Sequence, residues 1–334
     1  MHRYTLIALA LLSFTGCKKK KAEEPAKPTG SGTAVVAAPD AAEGSNGSGS
    51  AAGSSAGSGS NVADAFDPGE LKTPESVLYD AGRDMYMVSN INGKETEADD
   101  NGYLTVVNPD GSNERSNANW KWIMGEMPDI KLDAPKGMAI SGDTLYVADI
   151  TVVRRFEAKA GKQKDDVKIE GAAFLNDVTP DSNGGVFVSD SGFGADFKPN
   201  GADAVYHVDK DGKVTPLIKG KDLGNPNGLW FDGKGSVWVV TFGSGEIYEV
   251  DAKGKKGRPT KLPTGALDGI VGIEGGDFLV SSWEGKCVYR GKPGGEWTAI
   301  VKDVESPADI DYDPKRKRIL IPGFNTNKVI IHQL

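Results

Sequence analysis

One pattern of apolar and polar positions recurs along residues 74–334. Each copy begins with Pro or Leu and continues through one variable residue and one small or polar residue into an apolar stretch. A Gly or Asp turn and an aromatic-rich strand such as LYVAD follow. The variable positions are separated by 61, 40, 51, 41 and 40 residues; they are Glu75, Lys136, Asn176, Asn227, Asp268 and Ala308. Six copies with a minimum period near 40 residues predict an all-β fold, a six-bladed β-propeller with four-stranded blades.

Hairpin signals between the copies predict the outer strands of the blades. Alternating apolar residues flank Asp-Gly or Lys-Gly turns, as in AVYHVDKDGKVTPLI and EIYEVDAKGKKGRPTKL. The sixth copy supplies only three strands, the last of them in NKVIIHQL. Because an incomplete blade would leave an exposed sheet edge, we expect an N-terminal strand around residues 66–71 to close the ring.

The first 65 residues differ in character from the repeats. Residues 1–16 contain a basic start and an apolar stretch too short to span a bilayer, so they are predicted to be an export signal. FTGC resembles a bacterial lipobox, which implies that Cys17 is acylated and becomes the mature N-terminus. An ordinary secretory signal with an incidental cysteine is the alternative.

Residues 17–65 are rich in Ala, Gly, Ser and Pro, and we expect a lipidated, disordered tether there because this composition cannot form a core. The propeller would then occupy residues 66–334. The expected location is the cell envelope, with the protein lipid-anchored to a bacterial membrane and facing the periplasm or the exterior.

The composition excludes several classes of function. An excess of 47 acidic over 39 basic residues, with a net charge of -8, argues against nucleic-acid binding. Two cysteines and three histidines offer little for a disulfide scaffold, a Cys-rich zinc site or a His-based metal site. The chemistry is therefore expected to come mainly from carboxylates and other oxygen ligands.

The variable position of the repeat is the candidate site, because the innermost strand of each propeller blade begins near the central channel. Its oxygen-bearing occupants, Glu75, Asn176, Asn227 and Asp268, would repel one another or stay unsatisfied unless a cation lay among them. Calcium prefers such ligands, with Mg²⁺, Mn²⁺ and Zn²⁺ as alternatives. The competing interpretation is that these residues only cap strand starts and hydrogen-bond to neighbouring backbone.

Lys136 places a cation on the same ring of residues. Two roles are open for it: a structural salt bridge with a carboxylate, or binding of the anionic or carbonyl end of a substrate. Asp149 and Asp190 end matched strands, which favours a repeated hydrogen bond within the blade over catalysis. Most of the six tryptophans fall on predicted strands, so we expect them to pack in the core.

The motifs TPES, LNDV, PNGL and LDGI occur in this order at blade spacing. Over about residues 66–334 the chain resembles the senescence-marker protein (regucalcin), gluconolactonase and luciferin-regenerating enzyme family of six-bladed propellers. The resemblance implies that Glu75, Asn227 and Asp268 hold a divalent metal and that Asn176 helps to bind the metal or the substrate. The chain departs from the family pattern at Thr241, where Asp is frequent, and in an insertion, NGKETEADDNGYLT, that forms either a lid or a long loop.

Many members of this family hydrolyse lactones, so the resemblance implies a metal-dependent hydrolase of lactones or related small esters. Asp268 is the candidate for steering the proton of the attacking water, and Lys136 is the second candidate catalytic residue. Asn176 and Lys136 are the candidate substrate-binding residues. The expected partners are a small-molecule substrate and, through the N-terminal lipid, a membrane; we expect a monomer. The alternative is a non-catalytic propeller that binds a protein, peptide or glycan, with a structural metal or none.

Overall fold

The computed structural model describes residues 64–66, 71–112 and 121–334, which form six four-stranded antiparallel sheets. The predicted six-bladed β-propeller is therefore confirmed. No helix in these ranges has the length and apolarity needed to cross a membrane. The predicted signal (1–16), Cys17, most of the tether and Trp120 lie outside the described residues.

The first three complete blades follow the chain from inner to outer strand. After β1 (Asp64–Phe66), blade 1 comprises β2 (Pro74–Asp80), β3 (Met85–Asn90), β4 (Tyr103–Val107) and β5 (Lys121–Met124). Blade 2 comprises β6 (Pro135–Ser141), β7 (Thr144–Asp149), β8 (Val152–Glu157) and β9 (Val167–Lys168). Blade 3 comprises β10 (Leu175–Pro180), β11 (Val186–Asp190), β12 (Ala204–Val208) and β13 (Val214–Lys219).

The remaining blades repeat this order, except that the last one takes its outer strand from the N-terminal side. Blade 4 comprises β14 (Pro226–Phe231), β15 (Val237–Thr241), β16 (Glu246–Val250) and β17 (Thr260–Lys261). Blade 5 comprises β18 (Leu267–Gly272), β19 (Phe278–Ser282), β20 (Cys287–Gly291) and β21 (Trp297–Val301). Blade 6 comprises β22 (Asp311–Asp313), β23 (Arg318–Gly323), β24 (Lys328–Gln333) and β1.

The ring closes between blades 6 and 1. The inner strands β2, β6, β10, β14, β18 and β22 contact one another in turn, and β22 returns to β2. Strand β1 pairs antiparallel with β24, with Asp64 opposite Ile331. The predicted closing strand is confirmed, although it begins at Asp64 rather than at residue 66. Across the closure, Ser76 Oγ donates a hydrogen bond to Asp309 Oδ2 at 2.5 Å.

The apolar core is divided among the interfaces between neighbouring blades. One cluster, for example, joins the buried Tyr146 of β7 to the buried Val188 of β11. Trp122, Trp230, Trp238 and Trp297 belong to clusters of this kind, as predicted. Because each cluster is shared by two blades, blade packing rather than any single sheet holds the ring together.

Five inner strands carry a β-bulge at their start. The register against the second strand shifts between Pro74 and Val77 in blade 1 and at the equivalent positions of blades 2 to 5. The variable residue of the repeat lies inside each bulge. A bulge bends the strand and changes the direction of its side chains, which explains how this residue comes to face the channel.

Glycine follows the variable residue where the inner strands approach most closely. A Cβ atom at Gly228 would lie 2.3 Å from the carbonyl oxygen of Asp268, and one at Gly137 would lie 2.5 Å from Asp177 Cα. No side chain fits in these places. Glycine thus lets the starts of neighbouring inner strands lie close enough for their polar residues to meet.

Candidate metal centre

The four predicted ligands converge on one cavity of about 380 Å³, which Lys136 also lines. Their exposed fractions are 5% for Glu75, 6% for Asn176, 3% for Asn227 and 3% for Asp268. The sixth variable residue, Ala308, is fully buried and brings no side-chain oxygen. Four residues that are far apart in the sequence therefore share one buried space because each begins an inner strand.

Each of these four side chains has a buried oxygen without a hydrogen-bond partner. The atoms are Glu75 Oε2, Asn176 Oδ1, Asn227 Oδ1 and Asp268 Oδ1. Leaving one such group unsatisfied costs about 1–3 kcal/mol. Four such oxygen atoms in one cavity therefore indicate a site for a ligand that they can coordinate. Two carboxylates and two amide oxygens fit a hard divalent cation such as Ca²⁺. Among the described residues no group of three or more His, Cys, Asp or Glu side chains is placed to hold a metal, and the set in this cavity contains two carboxylates and two amides.

Serine hydroxyls on the second strands fix three of the bulges. In blades 1, 3 and 5 the serine next to the end of the second strand accepts a hydrogen bond from the backbone N–H of the residue after the ligand. The pairs are Ser89 with Ser76 at 2.9 Å, Ser189 with Asp177 at 2.9 Å and Ser281 with Gly269 at 2.7 Å. The hydroxyl thus replaces a ladder hydrogen bond that the bulge removes, and it holds the adjacent ligand in place.

Asp268 is oriented by a tryptophan. Trp283 Nε1–H donates to Asp268 Oδ2 at 2.7 Å, which leaves Oδ1 as the unpartnered atom. Burial raises the pKa of Asp268 well above its usual value, and the Asp309 carboxylate adds to the shift, whereas the hydrogen bond from Trp283 opposes it. The carboxylate is consequently a stronger base than an exposed aspartate.

Glu75 experiences the same environment. Burial raises its pKa well above the usual value, and the carboxylates of Asp268 and Asp309 raise it further, against the opposing charge of Lys136. A divalent cation among the unpartnered oxygens would reverse this balance by favouring the ionised carboxylates.

Two further buried carboxylates, Asp177 and Asp309, were not predicted from the sequence; each directly follows the variable residue of its repeat and lines a second cavity of about 610 Å³. Asp177 accepts hydrogen bonds from the backbone N–H groups of Val178 and Leu229, both at 2.6 Å. Burial raises the pKa of Asp177 to about 7, although these hydrogen bonds act in the opposite direction. Asp309 is also buried, and its pKa is raised first by burial and then by Asp177. Buried carboxylates therefore continue along the inner strands beyond the candidate ligands.

Lys136 binds backbone groups. Its Nζ donates to the carbonyl oxygens of Glu95 and Ala134, both at 3.0 Å, and lies 4.5 Å from the centre of the Phe174 ring. Burial lowers the pKa of Lys136, although Asp149 and Glu75 oppose the shift. Glu95 belongs to the insertion, so this segment forms part of the cavity wall.

Asp149 and Asp190 have the structural role that their matched positions indicate. In each case the two carboxylate oxygens accept hydrogen bonds from consecutive backbone N–H groups just before the inner strand of the same blade. The donors are Asp133 and Ala134 for Asp149, and Ala173 and Phe174 for Asp190.

The aromatic part of the cavity was not predicted from the sequence. Its aromatic lining residues are Phe174, Phe193, Phe197, Phe242, Trp283 and Phe324. The expectation that tryptophans pack in the core is wrong for Trp283, which follows β19 and lines the cavity. A signal was present in the repeat, because Phe242, Trp283 and Phe324 each follow directly after the second strand of a blade.

The fold and the site define the class of protein: a six-bladed β-propeller with buried oxygen-bearing side chains around its central channel. The SMP-30/Gluconolactonase/LRE-like family model matches residues 73–310. The chain belongs to this family, which confirms the resemblance read from its motifs. No curated protein matches the chain significantly.

Solved structures share the fold at low sequence identity. A gluconolactonase from Xanthomonas campestris is 19% identical with a TM-score of 0.60, over 82% of this chain and 91% of that one. Regucalcin from Agrobacterium tumefaciens, described as a calcium-binding protein, is 18% identical with a TM-score of 0.58, over 81% and 92%. Virginiamycin B lyase from Staphylococcus aureus is 15% identical with a TM-score of 0.55, over 81% and 99%.

Proposed function

We propose that this protein is a divalent-metal-dependent hydrolase of lactones or related small esters. The observation that carries the proposal is the meeting of four unpartnered, buried oxygens in one cavity beside a lysine ammonium group. Membership of the SMP-30/Gluconolactonase/LRE-like family and the similarity to a gluconolactonase fold support the choice of substrate class.

Glu75, Asn176, Asn227 and Asp268 would hold the cation through their unpartnered oxygens. An oxygen-only set that includes amides favours Ca²⁺, with Mg²⁺, Mn²⁺ and Zn²⁺ as alternatives. When bound, a divalent cation polarises a carbonyl group and lowers the pKa of water.

Asp268 is the proposed general base. Trp283 holds Asp268 Oδ2 by a hydrogen bond and so orients the carboxylate, which besides binding the cation is proposed to accept the proton of the attacking water. Lys136 is proposed to orient the carbonyl or anionic end of the substrate, because two of its three N–H groups already bind backbone carbonyls and fix its position. The aromatic wall would exclude bulk water from the reacting group.

The test is hydrolysis of a panel of aldonolactones, alkyl lactones and aryl esters by chelator-treated and Ca²⁺-repleted protein. We expect turnover that chelation abolishes and Ca²⁺ restores. Asp268→Asn should lower kcat/KM by about 10²–10⁴-fold without loss of thermal stability, because it removes the base and also a buried charge.

Glu97→Gln is the matched control, since Glu97 is an exposed acid of the insertion and should leave turnover unchanged. Turnover of no panel member, or turnover that resists both chelation and Asp268→Asn, would overturn the proposal.

We also propose that the protein is anchored to the cell envelope through lipid on Cys17, as the lipobox resemblance implies. Fractionation of cells that produce wild type or Cys17→Ala checks this: the wild type should sediment with membranes, and the variant should not. Equal membrane association of the two proteins would contradict the anchor.

A further inference from the structure

Six aromatic rings form a continuous arc along the cavity wall. Phe197 contacts Phe174, Phe174 contacts Phe193, and the series continues through Phe242 and Trp283 to Phe324. The ring centroids of successive members are 5.7, 6.1, 6.3, 5.8 and 5.1 Å apart. The arc therefore spans blades 3 to 6 on the side where the candidate ligands begin their strands.

The arc is not a by-product of core packing. Phe242, Trp283 and Phe324 are only partly buried, and Phe197 is 48% exposed, an unusual exposure for a phenylalanine. Three consecutive blades place an aromatic residue directly after the second strand, where blades 1 and 2 have the aliphatic residues Ile91 and Ile150. A partly exposed aromatic surface that faces a cavity indicates an apolar binding partner.

The wall offers little to a polyhydroxylated ligand. Beyond the four candidate metal ligands and Lys136, its polar side chains are Glu95 and Asn325. A sugar lactone would bury several hydroxyl groups against ring carbons, and each hydroxyl left without a partner weakens binding about five- to a hundredfold. An alkyl or aryl group in the same place leaves no hydrogen-bonding group without a partner.

A cage for an organic cation fits the arc less well. The Lys136 ammonium group already lies 4.5 Å from the centre of the Phe174 ring, and Phe174, Phe193 and Phe242 meet one another edge to face. The volume of the whole cavity, about 380 Å³, lies near the lower end of the range for sites that bind drug-sized molecules, so the cavity suits a small substrate.

We propose that the substrate is a lactone or ester that bears an apolar alkyl or aryl substituent, and that this substituent lies against the arc of six aromatic rings. The inference rests on the proposed function for the reaction, but its evidence is the aromatic wall alone. The reacting carbonyl would then face Lys136 and Asp268, which Phe174 and Trp283 of the arc adjoin.

The test is a homologous series from γ-butyrolactone to γ-decalactone, with glucono-1,5-lactone as the polar comparison. Each buried methylene should raise kcat/KM by up to about fourfold until the cavity is filled. Phe242→Ala should lower the ratio of kcat/KM for γ-octalactone to that for γ-butyrolactone by about fivefold or more, and Phe324→Ala serves as a second variant should the first not fold.

Phe187→Ala is the matched control, because the Phe187 ring contacts His207 and Phe231 away from this cavity. It should leave the ratio unchanged. A flat series, or hydrolysis of glucono-1,5-lactone in preference to the alkyl lactones, would overturn the apolar substrate while the hydrolase stands.

Binding of 2-methyl- and 2-hexylcyclopentanone, measured by calorimetry with and without chelator, separates the two proposals, because these ketones are not hydrolysed. If the hexyl compound binds more tightly than the methyl compound, and if Phe242→Ala removes this difference, the apolar site is supported even when no lactone is turned over. Equal binding of the two ketones, or binding of neither, overturns it.

Discussion

At the scale of single residues, the inner strands bring together buried carboxylates whose charge is only partly compensated by Lys136. Glu75, Asp177, Asp268 and Asp309 all have raised pKa values, and burial is the first cause in each case. A raised pKa means that the folded state binds the proton more tightly than the unfolded state does, so the ionised groups destabilise the fold at neutral pH. A bound cation would remove this cost.

We therefore predict that, in the presence of a chelator, the protein becomes more stable as the pH falls from 7.5 to 6.0. Asp177 has a pKa of about 7 when folded and a usual value of 3.8, so the folded state gains protons as the pH falls through 7 and becomes more stable. Between pH 7.5 and 6.0 the free energy of unfolding should rise by about 1 kcal/mol or more, as measured by urea denaturation. The buried His332, whose pKa burial lowers, acts in the opposite direction at the acidic end.

Asp177→Asn isolates the contribution of this group, because an amide does not titrate and the variant should lose part of the gain. Saturating Ca²⁺ should weaken the dependence in the wild type. Stability that increases from pH 6.0 to 7.5 in chelator would show that the channel carboxylates are not buried as described.

At the scale of elements, the bulge at the start of each inner strand directs the variable residue of the repeat into the candidate site. A regular strand would pair the variable residue with its neighbour, whereas the bulge frees it and leaves a backbone N–H that needs an acceptor. Ser281 supplies that acceptor for Gly269 and donates in turn to the carbonyl oxygen of Ala308 at 2.8 Å. This hydroxyl thus joins blade 5 to blade 6 beside Asp268.

Ser281→Ala should consequently lower both stability and cation affinity. Loss of the hydroxyl leaves the buried Gly269 N–H without a partner, which costs about 1–3 kcal/mol in urea unfolding. The shift in melting temperature that Ca²⁺ produces should shrink too, because Asp268 loses its support. Ser182→Ala, at an exposed turn, is the control and should change stability by less than about 0.5 kcal/mol. Equal behaviour of the two variants would contradict this role.

At the scale of the whole molecule, closure of the ring decides whether the ligands meet. Glu75 belongs to the first blade and Asp268 to the fifth, so their approach depends on contact between blades 6 and 1. Strand β1 completes blade 6 by pairing with β24, which covers an edge that would otherwise be open.

Removal of β1 tests this closure. A chain that begins at Leu71 should melt about 5–10 °C below one that begins at Ser58, because the hydrogen bonds and contacts of β1 together contribute about 2–4 kcal/mol. Its exposed β24 edge should also promote association, which light scattering detects. Identical melting and mass for the two chains would show that β1 adds nothing to the closed ring.

The repeat pattern was enough to predict the fold, the number of blades and the four polar residues that share the cavity, because a period near 40 residues places equivalent residues at equivalent distances from one axis. It also placed the structural roles of Asp149 and Asp190. The folded structure was needed to show that Trp283 orients Asp268, that Lys136 binds the backbone carbonyls of Glu95 and Ala134, and that Asp177 is a buried carboxylate with a raised pKa. The physical reason is that side-chain direction and the approach of one segment to another are set by strand pairing and blade packing. Trp283 meets Asp268 across a hairpin of blade 5, Lys136 of blade 2 reaches the Glu95 segment of blade 1, and Asp177 of blade 3 meets Leu229 of blade 4.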